Sequence, residues 1–327
     1  MKVDVTPNDP RFASQWGLLN MTNFVDISMM SVWDNYTTGD SNVIVAIIDN
    51  TVDTSHPDLI PNLWINRGEI PNNGLDDDNN GYIDDVYGWD FRNESCRISV
   101  DEPGLVTLDD AAHGTHVAGI VAARTNNGTG VAGVAGGWGD RQGSRLMVFR
   151  CGYLDLGEKE TYITEGYRAM VYAADNGAAI AQCSWGGEGS SSAGTTAINY
   201  FNNHGGGQVM RGGLVCAAAG NENSATKHFP AANSKVLSVA SLTTTGDRSS
   251  FSNYGTWVSV CAPGSSIMST YPWAGSKYGN MSGTSMATPM VSGVDIFLQM
   301  LYGIHSGKHG KCVFRRTGKA KSPRSGV

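Results

Sequence analysis

Short apolar runs alternate along most of the chain with longer stretches in which apolar positions recur at helical spacing. Val43–Asp49, Leu146–Phe149, Ala179–Ser184, Leu214–Ala219, Val236–Ala240 and Trp257–Cys261 are rich in β-branched or small apolar residues. Gly, Asn or Pro bound them, which predicts strands. Thr115–Arg124, Thr161–Asp175, Ala193–Asn203 and Ser285–Tyr302 carry the three- and four-residue spacing of helices. Strand, helix, strand in that rhythm predicts an α/β fold: a single three-layer domain with a mostly parallel sheet flanked by helices on both faces. In such sheets the chemistry gathers on loops beyond the carboxyl ends of the strands. No repeat or linker interrupts the pattern, so one domain is expected over residues 1–303, its packed part starting near Asp9. Residues 304–327 change composition abruptly and are expected to form a basic flexible tail.

Composition narrows the function classes. Charged residues are only 16% of the 327 positions and glycines number 42, the mark of a compact, loop-rich body. The net charge is −7, although Ser306–Val327 holds seven Lys/Arg and no acid, so the rest is more acidic than that value. An acidic body argues against a nucleic-acid partner and for bound cations. No apolar run is long enough to cross a membrane, and the N-terminal stretch MKVDVTPNDPRFASQW has no apolar signal region. Five N-x-[ST] sequons, at Asn20, Asn35, Asn93, Asn127 and Asn280, weigh slightly toward secretion. The six cysteines show no CxxC pair, which disfavours zinc; Cys183, Cys216 and Cys261 read as buried thiols, while Cys96, Cys151 and Cys312 stay open to a disulfide.

Three positions carry chemistry together. Asp49 ends the most apolar strand, where a carboxylate is costly unless paired. His113 opens HGTHVAGIVAAR, placing an imidazole at the expected start of a helix. Ser285 lies in GTSMATP, a small-residue turn into the last helix, with Pro289 expected in its first turn and with its own backbone N–H free of helical partners. A serine hydroxyl attacks only when a base takes its proton, and an imidazole serves as that base when a carboxylate fixes its tautomer. Asn221, just past the strand LVCAAAG, adds an amide that can donate to an oxyanion. His56 and His116, close by in sequence, read as structural.

HGTHVAG, AAAGN, GTSMATP and AIIDNTVD…HPDL, in that chain context, resemble the subtilisin-like serine proteases. The resemblance implies a serine endopeptidase with Asp49, His113 and Ser285 as triad and Asn221 as oxyanion donor. It implies an extended polypeptide substrate lying between Ser184-Trp185-Gly186 and Ala217-Ala218-Ala219-Gly220. Trp185 stands where relatives commonly carry a smaller aliphatic residue, and either narrows a subsite or packs in the core. The family further implies a propeptide inhibitor outside this sequence, a monomer, a secreted or vacuolar location, and no organic cofactor. Three departures stand out: Asn50-Thr51 replaces the usual Thr/Ser-Gly after the aspartate, no propeptide precedes the start, and the closing elements after Gly303 are unrecognisable, so the C-terminal part is expected to be incomplete. A catalytically silent relative that only binds peptides or partners remains the second reading.

Oxygen ligands point to structural Ca²⁺ at two places. By resemblance, Asp9, Asp58 and Asn127 with carbonyls of Thr125, Thr129 and Val131 form one site. The other is GLDDDNNGYIDD, where Asp76, Asp78 and Asn80 mimic the first half of an EF-hand loop and Tyr87 stands where its closing Glu belongs. Asp84 or Asp85 is expected to close a shorter loop, the cation relieving the repulsion among crowded carboxylates.

Overall fold

The computed structural model describes residues 6–98, 108–155, 157 and 160–302; the expected tail, with Cys312, lies outside them. The central sheet has seven parallel strands: β1 Ile44–Asp49, β2 Gly88–Asp90, β3 Arg145–Arg150, β4 Ile180–Cys183, β5 Leu214–Ala218, β6 Val236–Leu242 and β7 Val260–Pro263. Their order is β7-β6-β5-β4-β1-β3-β2. Each interior strand is apolar on both faces because each face is covered. On one side Val45, Ile47, Leu146, Val148 and Val239 pack against α2 (Leu108–Ala122) and α5 (Thr284–Tyr302), through Val117, Val121, Met286 and Val291. On the other, Ala46, Ile48, Met147, Phe149 and Val215 meet α3 (Gly166–Asp175) and α4 (Ser192–His204), through Met170, Tyr172, Ala197 and Phe201. These are the three layers expected, and fully buried Val, Ile, Leu and Phe side chains contribute about 1.5–3 kcal/mol each.

The structure corrects several local expectations. Helix α2 begins at Leu108, so His113 lies in its second turn and not at its N-terminus. Thr161–Ile163, expected to open a helix, belong instead to a strand Glu160–Ile163 that pairs with Gly152–Asp155 as an antiparallel hairpin. Pro289 is the sixth residue of α5, one turn beyond the helix start. Cys183, Cys216 and Cys151 are buried, whereas Cys261 is exposed because it sits on the edge strand β7. Strand β2 is only three residues long and gave no periodic signal.

Candidate active site

Asp49, at the carboxyl end of β1, is buried, and its Oδ1 accepts from the Asn50 backbone N–H at 2.8 Å. His113 Nδ1 stands 2.8 Å from Asp49 Oδ1 and 3.1 Å from Oδ2. A carboxylate can only accept, so Nδ1 carries the proton and Nε2 keeps its lone pair. Burial alone would lower this imidazole's pKa; the Asp49 charge and hydrogen bond outweigh it, and the net displacement is upward. The close approach of α2 to the loop after β1 requires Gly114, since a Cβ there would collide with the Thr51 carbonyl.

Ser285 is the second residue of α5, where backbone N–H groups have no helical acceptor. Its Oγ donates to the Ser184 carbonyl at 3.0 Å, so in this state its hydroxyl proton is held by that oxygen and not by His113. The Ser285 carbonyl is the one that Pro289, lacking an N–H, cannot bond four residues on. Ser184 Oγ takes that place, donating to the Ser285 oxygen at 2.7 Å. Gln182 Nε2 supports Ser184 Oγ at 2.7 Å, and Ser292 Oγ donates to Gln182 Oε1, closing a buried chain from β4 back to α5.

The Asn221 amide is oriented by Thr284, whose backbone N–H and hydroxyl donate to Oδ1 at 2.8 and 3.0 Å. Only an oxygen accepts from an N–H, which leaves Nδ2 as the outward donor. Thr284 Oγ1 also accepts from the Gly220 N–H at 3.1 Å. Thr284, Gln182 and Ser292 were not singled out in the sequence, because pairings between residues far apart in the chain leave no periodic trace.

Asp49, His113, Asn221 and Ser285 line one cavity of about 570 Å³, with Ser184, Trp185, Gly186, Ala218 and Gly220 on its walls. Ala217, in β5, and Ala219, just past its end, are buried and are not among the residues lining it. Trp185 is packed and also lines the cavity: its indole N–H donates to the Ile48 carbonyl at 2.9 Å and its ring meets Tyr167 edge-on. A larger cavity of about 640 Å³ between α3 and α4 is lined by Tyr82, Tyr167, Tyr172 and Tyr200 and contains no imidazole or thiol. His116 and His56 are structural: His116 Nε2 bonds the Ile267 and Gly279 carbonyls at 2.9 and 3.2 Å, and His56 Nε2 bonds the Lys277 carbonyl at 3.0 Å. Burial pulls His116 down to about 3, so it stays neutral.

The carboxylate loops differ in detail from expectation. Asp9 accepts from the Asn126 and Asn127 N–H groups, while Asp58 accepts from Asn127 Nδ2 at 2.8 Å and the Val131 N–H at 3.1 Å. Burial, joined by the Asp9 charge, pushes Asp58 up to about 6 despite these bonds. Asn127 Oδ1 is occupied by the Thr129 N–H. In the second loop the oxygens that converge within 4.8 Å belong to Glu69, Asp78 and Asp85. Asp76 and Asp84 instead accept backbone N–H groups, from Asn80 and Gly81 and from Asn73 and Gly74. Asn80 turns its Nδ2 to Asp78 and Asp85. Glu69 lies seven residues before the acidic run and was missed for that reason.

A parallel α/β sheet carrying a serine, a histidine–aspartate pair and an asparagine amide beyond the carboxyl ends of its strands has the layout of a serine hydrolase. The Subtilase family model matches residues 40–309. Thermitase from Thermoactinomyces vulgaris is 37% identical over 290 residues, covering 88% of this chain and 84% of that protein. An extracellular protease of Xanthomonas campestris is 37% identical over 307 residues, covering 90% of this chain but 50% of its own length. Among solved structures, a protease from Pseudoalteromonas arctica superposes with a TM-score of 0.64 at 31% identity, covering 90% of this chain and 87% of that one. The chain belongs to the subtilase family and is a serine protease.

Proposed function

We propose that the protein is a serine endopeptidase that cleaves extended polypeptides, with Ser285 as nucleophile, His113 as base, Asp49 as its orienting partner and Asn221 as oxyanion donor. The observation that carries this reading is the Asp49–His113 pair, which leaves Nε2 unprotonated toward a cavity shared with Ser285 and Asn221. The Ser285 hydroxyl rotates from the Ser184 carbonyl to His113, gives its proton to Nε2 and attacks the substrate carbonyl carbon. Asn221 Nδ2 and the Ser285 N–H hold the resulting oxyanion. As the C–N bond breaks, His113 returns the proton to the leaving amine. Water, deprotonated by His113, then hydrolyses the acyl ester and restores the serine. Small residues on both walls let substrate backbone pair with them like an added strand. The relatives named as extracellular proteases support secretion, and no helix among the described residues is long and apolar enough to cross a membrane.

A fluorophosphonate probe tests the assignment: it should label Ser285 and fail to label Ser285→Ala. A folded protein that takes no label would move the protein to the silent, peptide-binding reading.

Structural Ca²⁺ is part of the proposal. Two buried carboxylates, one pushed up to about 6, fit a cation at Asp9 and Asp58, with Asn127 turned to offer its oxygen and the carbonyls of Thr125, Thr129 and Val131 as further donors. Glu69, Asp78 and Asp85 fit a second. Bound there, Ca²⁺ would neutralise these carboxylates and tie the N-terminal segment and the acidic loop to the sheet. Chelation should lower the melting temperature by several degrees and calcium should restore it; a melt insensitive to both would remove the cation from the account.

A further inference from the structure

The buried chain that starts at the Ser285 carbonyl continues past Ser292. Ser292 and Asp295 lie one turn apart on α5, on the face turned to the sheet. The Ser292 hydroxyl, which donates to Gln182 Oε1, also reaches the Cys216 thiol on β5. Cys216 Sγ in turn donates to Asp295 Oδ2 at 3.5 Å. Gln182, Cys216, Ser292 and Asp295 are all buried. A thiol is a weak donor, yet it is the one hydrogen-bond partner of this carboxyl among the described residues, and no cation is paired with it there. The elements packed against α5 are α2 and strands β4, β5, β6 and β7. The strands bring no acid or base, only thiols: Cys216 faces Asp295, Cys183 lies on the other face of the sheet, and Cys261 is on the exposed edge. Of the ionisable residues on α2, Asp109 and Asp110 are in its first turn, His113 is held by Asp49, and His116 by the Ile267 and Gly279 carbonyls.

We propose that Asp295 is a pH switch on the helix that carries Ser285: neutral, it leaves the buried chain intact, and ionised, it draws the Ser292 hydroxyl away from Gln182 and loosens α5. A neutral carboxyl sits in this apolar layer at little cost, whereas a carboxylate needs donors that a lone thiol does not supply. The nearest stronger donor is Ser292, and its single hydroxyl proton cannot serve Gln182 and Asp295 together. Once Gln182 loses it, the support passed through Gln182 Nε2 to Ser184, and from Ser184 to the Ser285 carbonyl, is weakened. The position of the carboxyl agrees with such a role: burial pushes it up to about 7, an effect that the Cys216 hydrogen bond offsets only in part. Burial, followed by the Asp295 charge, holds the thiol well above its ordinary value, so sulfur keeps its proton and does not take over the switching. Molecules with α5 open stay a small fraction, so initial rates hold while survival of the folded protein shortens above neutral pH.

The test is made in Ser285→Ala, so that self-digestion does not intrude and the outcome is independent of the endopeptidase reading. Melts of this parent and of the same protein with Asp295→Asn are compared from about pH 4 to about pH 9 at fixed calcium. The unfolded chain ionises Asp295 near the ordinary 3.8 and the folded one only at about 7. The stability that the neutral carboxyl contributes is therefore full below the first value, drains away as pH rises between the two, and is gone above the second. The Asn variant should gain about 5 °C on its parent across that window and keep the gain above it. Asp58, whose carboxyl is also raised, is present in both proteins and cancels in the difference. Hydrogen exchange adds the location: as pH rises through about 7, protection of the α5 amides should fall about tenfold in the parent and hold in the Asn variant. A melting difference that does not change with pH, or α5 protection in the parent that ignores pH, would overturn the proposal. The second measurement needs no change at Asp295, so it decides even where Asp295→Asn fails to fold.

Discussion

The two halves of the cleft are held by different means. On the side of Ser285 and Asn221, short hydroxyl and amide side chains satisfy one another: Thr284 orients Asn221, Ser184 covers the carbonyl that Pro289 leaves open, and Gln182 and Ser292 complete the chain. On the side of Asp49 and His113, a single strong pair is set in a loop with visible cost. Asn50 is buried with neither side-chain polar atom partnered among the described residues. Thr51 adopts φ 152°, a conformation that favours glycine, with its hydroxyl held by the Ile98 carbonyl. Strain of this kind is tolerated where the surroundings over-determine the geometry. One half is thus positioned by a redundant network, the other by one charge-assisted hydrogen bond and close backbone packing.

The largest expected effect belongs to that pair. Because Asp49 raises the His113 pKa above the ordinary 6.5, the proposed base is lost at a higher pH than an isolated histidine would allow. Activity should be full above the raised value and fall as pH drops through it, kcat/KM declining about tenfold per unit below. An acid limb centred at or below 6.5 would show that the pair does not govern the base.

Removing Ser184's hydroxyl probes the other half and should do less. Ser184→Ala leaves the Ser285 carbonyl and Gln182 Nε2 without a partner, a cost of about 1–3 kcal/mol of stability. Turnover should fall because the helix that carries Ser285 loses a tie, but the acid limb should stay in place, since no bond to His113 changes. A shifted limb would mean that the two halves are not separable.

The same division explains what could be read from the chain beforehand. The fold was legible because buried parallel strands are apolar runs, and Asp49, His113, Asn221 and Ser285 stood out through their local strings. The start of α2 was hidden by Asp109 and Asp110, which resemble a turn more than a helix. The Glu160–Ile163 strand was absorbed into the adjacent helical spacing. Glu69, Thr284, Gln182 and Ser292 act through partners distant in sequence, and no one-dimensional pattern announces such bonds. Thr51 was different: the missing glycine was a local signal, and the threonine in its place has a positive φ.

The smallest effect, and the sharpest discriminator, is expected at Thr51→Gly. Relaxing the backbone should return about 1–3 kcal/mol. Against this stand the lost hydrogen bond to Ile98, about 1 kcal/mol, and the extra freedom glycine gives the unfolded chain, about 0.4–1 kcal/mol. The terms nearly cancel, so the melting temperature should move by only a few degrees. Turnover should change less than about threefold, because Asp49 is aimed by the Asn50 N–H and by His113, neither of which involves the Thr51 side chain. A loss beyond tenfold with an unchanged melt would mean that the Thr51 side chain itself holds the carboxylate in line, and that the strained loop is part of the catalytic geometry and not a cost tolerated beside it.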